Sequence, residues 1–149
     1  MKRIMFDSNV FDQLPAIIET IKPAIGQMYE LCVTTVQVEE LCETPDPKKE
    51  KRAVNMLMLA DLRPRLVPLS VCVLGSRARL GYARFGDGEV YEQILNASRS
   101  NTDDALIADT AVTEGCTLVT EDRDLYSRMQ KNGYAVMSLS EFLATIPGV

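Results

Sequence analysis

The stretch "KRIMFDSNVF" (residues 2–11) decides the fold. An apolar run climbs to Phe6, stops at Asp7, and passes through Ser8 and Asn9 into a second apolar pattern. A short apolar run bounded by a turn signal reads as a buried strand, and an Asp-Ser-Asn step is the chemistry that opens a helix. A strand that ends where a helix begins is the repeating unit of parallel α/β sheets. The same stretch poses the functional question. Asp7 is either a plain helix cap or a group that does chemistry at the end of a strand.

Working outward, "NVFDQLPAIIETIKPAI" (9–25) has helical spacing, with Val10, Leu14, Ile17, Ile18 and Ile21 on one face. Pro15 marks either an early turn or a break, and Pro23 limits the far end. "LCVTT" (31–35) reads as a second strand and "TVQVEELCE" (35–43) as a short helix stopped by Pro45 and Pro47. "KKEKRAVNMLMLADL" (48–62) reads as an amphipathic helix with Val54, Leu57, Met58 and Leu62 inward. "RLVPLS" (65–70) reads as a third strand, residues 73–85 as a basic helix, and Glu89 to Ala97 as a short helix after the turn "FGDG". In the last third, "TDDALIADTAVTEG" (102–115) is a helix with an acidic start and a Gly115 stop. "CTLVT" (116–120) is a buried strand, and "DRDLYSRMQKNG" (122–133) is a helix closed by Asn132-Gly133. "YAVMS" (134–138) is a strand and "LSEFLATI" (139–146) a final short helix. Strands alternate with helices, which predicts one domain over 1–149 built on a parallel sheet covered on both faces.

Composition narrows the chemistry. The 149 residues are 46% hydrophobic, enough for a core, and no run of about 18 apolar residues suits a membrane span. "MKRIMF" meets an acid before a long apolar region develops, so the chain reads as cytoplasmic. Cys32, Cys42, Cys72 and Cys116 are far apart with no C-x-x-C pair, which fits free thiols in a reducing compartment, three of them in apolar surroundings. Histidine is absent. That removes Ser-His-Asp and Cys-His machinery, histidine acid–base chemistry on RNA, and most catalytic zinc sites.

The formal net charge of -5 is unevenly spread. Residues 48–84 hold nine basic residues (Lys48, Lys49, Lys51, Arg52, Arg63, Arg65, Arg77, Arg79, Arg84) against Glu50 and Asp61. This basic middle is either a solvated surface or a track for a nucleic-acid backbone.

In open parallel sheets, ligands gather beyond the carboxyl ends of the strands. Asp7 follows the first strand, and Asp122 stands two residues beyond Thr120. Asp104 lies at the start of its helix, and Glu40 rides on the helix after the second strand. Each has a bland alternative. Asp7 and Asp122 can be caps, Asp104 suits a helix N-terminus, and Glu40, with Glu39 beside it, can be a surface residue. Four carboxylates in one crevice would repel one another, and an oxygen-only set suits Mg²⁺ or Mn²⁺. Asp109, five residues beyond Asp104, is turned about 140° from it at 100° per residue and is left out.

"MFDSNVF", "TTVQVEEL", "DDALIADTA" and "TLVTEDRDL" together resemble the PIN-domain nucleases, especially the VapC-type toxin ribonucleases of toxin–antitoxin pairs. The motifs occur in the family's order across nearly the whole chain, with little signal from about 44 to 100. The resemblance implies a three-layer α/β/α sandwich with a central, mostly parallel, Rossmann-like sheet. It implies a metal-dependent endoribonuclease whose Mg²⁺ or Mn²⁺ is held by Asp7, Glu40, Asp104 and Asp122. Ser8 and Thr120 match supporting polar positions, Asn9 matches the residue that holds the loop of the first acid, and Asp124 matches a further nearby acid. Glu39-Glu40 leaves the second acid open by one position, and Leu125 stands where an aromatic is common. The implied partners are RNA and a small antitoxin inserting near the acids. The apolar stripes of the early helices serve either a homodimer or the core.

Two other classes compete. A phosphatase with a nucleophilic aspartate wants a second acid two residues on, where this chain has Asn9. A PIN fold acting only as a binding scaffold would need no competent acids. "FGDGEVY" and "VLGSRARLG" lack the full glycine pattern and the Gly-Lys-Ser/Thr of phosphate loops.

Overall fold

The computed structural model describes residues 1–43, 49–73, 76–78, 81–95 and 102–148. Along the chain run β1 (Lys2–Phe6), α1 (Ser8–Phe11), α2 (Leu14–Ile21), β2 (Tyr29–Val33), α3 (Thr35–Cys42), α4 (Lys49–Asp61), β3 (Arg65–Leu66), α5 (Glu89–Leu95), α6 (Thr102–Thr113), β4 (Thr117–Val119), α7 (Arg123–Lys131), β5 (Val136–Met137) and α8 (Leu139–Leu143). The strands form one sheet in the order β3-β2-β1-β4-β5, every neighbour parallel. The α/β architecture expected from the alternation is present.

Residues two apart point to the same face of a strand. Ile4 and Phe6 of β1 join Leu31, Val33 and Val119 in one apolar cluster, packed with side chains of α1, α2, α4 and α8. Met5 joins Cys32 and Leu118 in the other, packed with α5, α6 and α7. The sheet is therefore the middle of three layers. Ile4, Met5 and Phe6 are fully buried, each contributing about 2 kcal/mol by removal from water. Val10, Leu14, Ile17, Ile18 and Ile21 lie in this core, so the first helical stripe is used inside the chain.

Three local expectations need correction. The pattern over 9–25 is two helices, not one. Pro15 lacks an N–H and is tolerated only in a first turn, so the helix restarts at Leu14. Along α4 and just past its end the inward residues are Asn55, Leu59 and Leu62, with Met58 partly buried against the core as expected, while Val54 is 44% and Leu57 72% exposed. "AVNMLML" is apolar on more than one stripe, and packing against α2 and α3 selects the face. The described part of 73–85 is not helical. Its backbone bonds run to the segment after β3, with Arg84 N donating to Leu69 O at 2.7 Å and Gly86 N to Ser70 O at 2.9 Å. A Cβ at Gly86 would collide with Ser70 O, so glycine is required there. The Gly115 stop is present, with φ +66° just past α6.

Pro45 and Pro47, with Leu74, Gly75, Arg79, Leu80, Asn96 and Ala97, lie outside the described residues. All four cysteines are free, Cys32 and Cys116 buried, Cys72 half-buried and Cys42 exposed. Among the described residues no helix is long and apolar enough to cross a membrane.

Candidate active site

The strand order reverses direction at β1, because the chain builds outward through β2 and β3 and then returns to lay β4 on the other side of β1. A crevice opens beyond the carboxyl ends of strands at such a point. The β1 and β4 ends are tied together there, with Asp7 N donating to Val119 O at 2.9 Å.

Asp7 is buried and held from three sides. Its carboxylate accepts from Ser8 N at 2.8 Å, Asn9 Nδ2 at 2.7 Å and Thr120 Oγ1 at 2.7 Å. Asn9 also accepts from Glu121 N at 3.2 Å through Oδ1, which fastens the loop after β4 to the loop after β1. Thr120 Oγ1 in turn accepts from Asp122 N at 3.0 Å. Asp122 caps α7, accepting from Asp124 N at 2.7 Å and Leu125 N at 2.9 Å. Ser8, Asn9 and Thr120 thus do structural work between two acids.

Two further acids approach from the helices. Ser8 Oγ donates to Glu40 Oε2, drawing Glu40 toward the Asp7 loop. Asp104 lies in the first turn of α6. Burial pushes its carboxyl up to about 7, aided by the charges of Asp7, Asp122 and Glu40 and of Asp103. Asp7 is also raised by burial, against the lowering effect of its three donors. Glu40 is raised by burial, with Asp103 and Asp7 adding to it and Ser8 and Arg77 opposing. The four acids therefore share one electrostatic neighbourhood.

The adjacent acids go elsewhere. Arg77 donates to Asp103 at 2.8 Å and to Glu43 at 2.6 Å, and lies 3.6 Å from Glu39. Glu39 is thus ion-paired while Glu40 faces Ser8. Asp109 is buried on the other face of α6, bonded to Ser70 Oγ and to Tyr91 N at 2.8 Å.

Sequence reasoning missed Gln37. It is fully buried, donates to Phe6 O at 2.5 Å, and accepts from Thr34 N at 2.5 Å and Thr34 Oγ1 at 2.8 Å. It locks the last residue of β1 under Asp7. The signal was present as Thr34-x-x-Gln37, a capping box. Arg77 had no local signal.

Three assignments change. Asp7 is the cap of α1, so cap and candidate ligand are one residue rather than alternatives. Asp124 is exposed, and what it gives the site is its backbone N–H to Asp122. The basic segment is paired in part: Lys51 with Asp12, Arg65 with Glu30, Arg77 with three acids and Arg84 with Glu114. Lys48 and Arg79 lie outside the described residues.

The donor set suits a hard divalent cation: carboxylate oxygens with no nitrogen or sulfur, with Asp104 pushed up by burial and by its acidic neighbours. Among the described residues, no three Asp, Glu or Cys side chains are already gathered closely enough to hold one. Asp7, Glu40 and Asp122 are instead engaged by protein donors. A search of curated proteins finds no match to the chain. A sequence-family model described as PIN domain matches residues 4–131.

Proposed function

The chain belongs to the PIN domain family, a nuclease fold acting on nucleic acid, and from that premise we propose that it is a metal-dependent endoribonuclease. The observation that carries this is the convergence of Asp7, Asp122 and Glu40 on Asp104, whose carboxyl is pushed up to about 7 by burial with the help of those charges. Burying acids within reach of one another's charge costs stability, and a divalent cation offsets that cost. Asp7, Asp104 and Asp122 would hold Mg²⁺ or Mn²⁺, with Glu40 binding directly or through water. Such an ion supplies charge neutralisation at the phosphate and a water acidic enough to attack phosphorus near neutral pH.

The chain's own residues orient the site. Thr120 and Asn9 fix Oδ2 of Asp7 and Ser8 N holds Oδ1, which keeps lone-pair capacity for a further partner. The Asp124 and Leu125 N–H groups fix Asp122 in the same way. Ser8 sets the position of Glu40. No protein nucleophile is needed, which accords with a chain that has no histidine. A toxin role, with a small antitoxin as partner, rests on the resemblance of the four motifs to VapC-type ribonucleases.

A scaffold without cleavage is the competing reading, favoured by the protein hydrogen bonds that already engage Asp7, Glu40 and Asp122. A cleavage assay on single-stranded and structured RNA with Mg²⁺, Mn²⁺ or EDTA separates the two. The nuclease reading expects metal-dependent cleavage that EDTA stops and that Asp7→Asn abolishes while the circular dichroism spectrum is kept. Cleavage by Asp7→Asn at the wild-type rate, or no cleavage by wild type with any metal, overturns it.

A further inference from the structure

Next to the acids, a cavity of about 350 Å³ opens between the starts of α7 and α8. Thr120 and Asp122 line it, so it is continuous with the crevice, and Tyr126, Ser127 and Glu141 line it further on. Its volume falls within the range of small-ligand sites, about 300–1,000 Å³. The active-site reading uses none of the last three residues.

We propose that this cavity seats the base of a nucleotide adjoining the scissile phosphate, and that Glu141 makes it selective for guanine. This rests on the nuclease reading above, whose substrate brings an unpaired base to this position.

The cavity is prepared for a flat ligand with donors on its edge. The Tyr126 hydroxyl donates to the Glu141 carboxylate, 3.2 Å from each oxygen, and Ser138 N donates to Glu141 Oε2 at 2.7 Å. These bonds hold the carboxylate in one place. The Ser138 bond also keeps the Glu141 carboxyl below its ordinary range, so it remains an ionised acceptor. Oε1 accepts only the Tyr126 hydroxyl among the described residues and has lone-pair capacity left.

Guanine alone presents two adjacent donors, N1–H and N2–H₂, to a carboxylate along its Watson–Crick edge. Adenine N1, cytosine N3 and the uracil carbonyls would instead place a lone pair against the negative charge. The Tyr126 ring supplies an aromatic face, the common platform for an unpaired base. Ser127 makes no hydrogen bond through its hydroxyl to another described residue, and Arg123, also in the lining, has no ion pair among them. The first is available to the base edge or ribose, the second to a flanking phosphate.

Calorimetric titration with GMP, AMP, CMP and UMP in Mg²⁺ buffer tests this without depending on cleavage. GMP is expected to bind about tenfold more tightly than the others, the size of one charge-assisted hydrogen bond. Glu141→Gln is expected to erase that preference. Glutamine also serves the Ser138-x-x-Glu141 capping box, so α8 is retained. Tyr126→Ala is expected to weaken all four. Equal binding of the four nucleotides, or a guanine preference unchanged in Glu141→Gln, overturns the proposal. RNA cleavage by a protein with no base preference would sink this inference and leave the nuclease reading intact. A guanine preference in a protein that cleaves nothing would do the reverse.

Discussion

Glu39 and Glu40, and again Asp103 and Asp104, are neighbours in sequence with opposite surroundings. Glu39 and Asp103 turn toward the Arg77 guanidinium, which lies 3.6 and 2.8 Å away and holds Glu43 as well. Glu40 and Asp104 instead feel the charge of Asp7, no cation among the described residues forms an ion pair with either, and both carboxyls are raised, chiefly by burial. One step along a helix is about 100° of rotation, enough to send one acid of each doublet to a basic partner and the other to a crowd of acids. The first region is neutralised within the fold. The second keeps its repulsion, and an unrelieved cost of this kind in a crevice supports the proposal that a ligand binds there.

The sharpest way to break the comparison is to exchange the doublet members. Asp104→Asn is expected to lower metal-dependent cleavage on the order of a thousandfold. Asp103→Asn, one residue away, is expected to stay within a factor of a few of wild type. Equal losses in the two variants would show that helix position does not separate the roles. Less drastic is Arg77→Ala, which would remove the guanidinium that Asp103, Glu39 and Glu43 share. Arg77 is mostly buried, so the expected cost is about 2 kcal/mol in urea unfolding. A stability unchanged from wild type would mean that these ion pairs are surface decoration.

Much of this was legible in the sequence. Strong signals came from "KRIMF" and "TLV", whose burial on both sheet faces gives continuous apolar runs, and from the acids placed just past them. The pairing of each acid with a role was less legible. Asp7 is a cap and a candidate ligand together, because a carboxylate can accept from Ser8 N and still have lone pairs to offer. The Asn55 face of α4 was unreadable because several of its stripes are apolar and only packing against α2 and α3 chooses one. Arg77 could not be assigned because its partners lie 26 to 38 residues away. Residues 73–85 misled because hydropathy reports nothing about the backbone bonds from Arg84 and Gly86 to Leu69 and Ser70.

The central claim is that four acids share one neighbourhood with no ion-paired cation among the described residues and that a divalent ion relieves them. Thermal unfolding across pH 5 to 7, in EDTA and in Mn²⁺, tests it most directly, because a chain with no histidine leaves that interval to its raised carboxyls. Asp104 sits at about 7 folded against 3.8 for an unperturbed carboxyl. In that interval the folded state keeps a proton the unfolded state has shed, so stability falls as pH rises. The account predicts a melting temperature in EDTA that declines from pH 5 to 7, recovery on adding Mn²⁺ at pH 7, and loss of both effects in Asp104→Asn. A flat profile in EDTA, with no response to Mn²⁺, would contradict it.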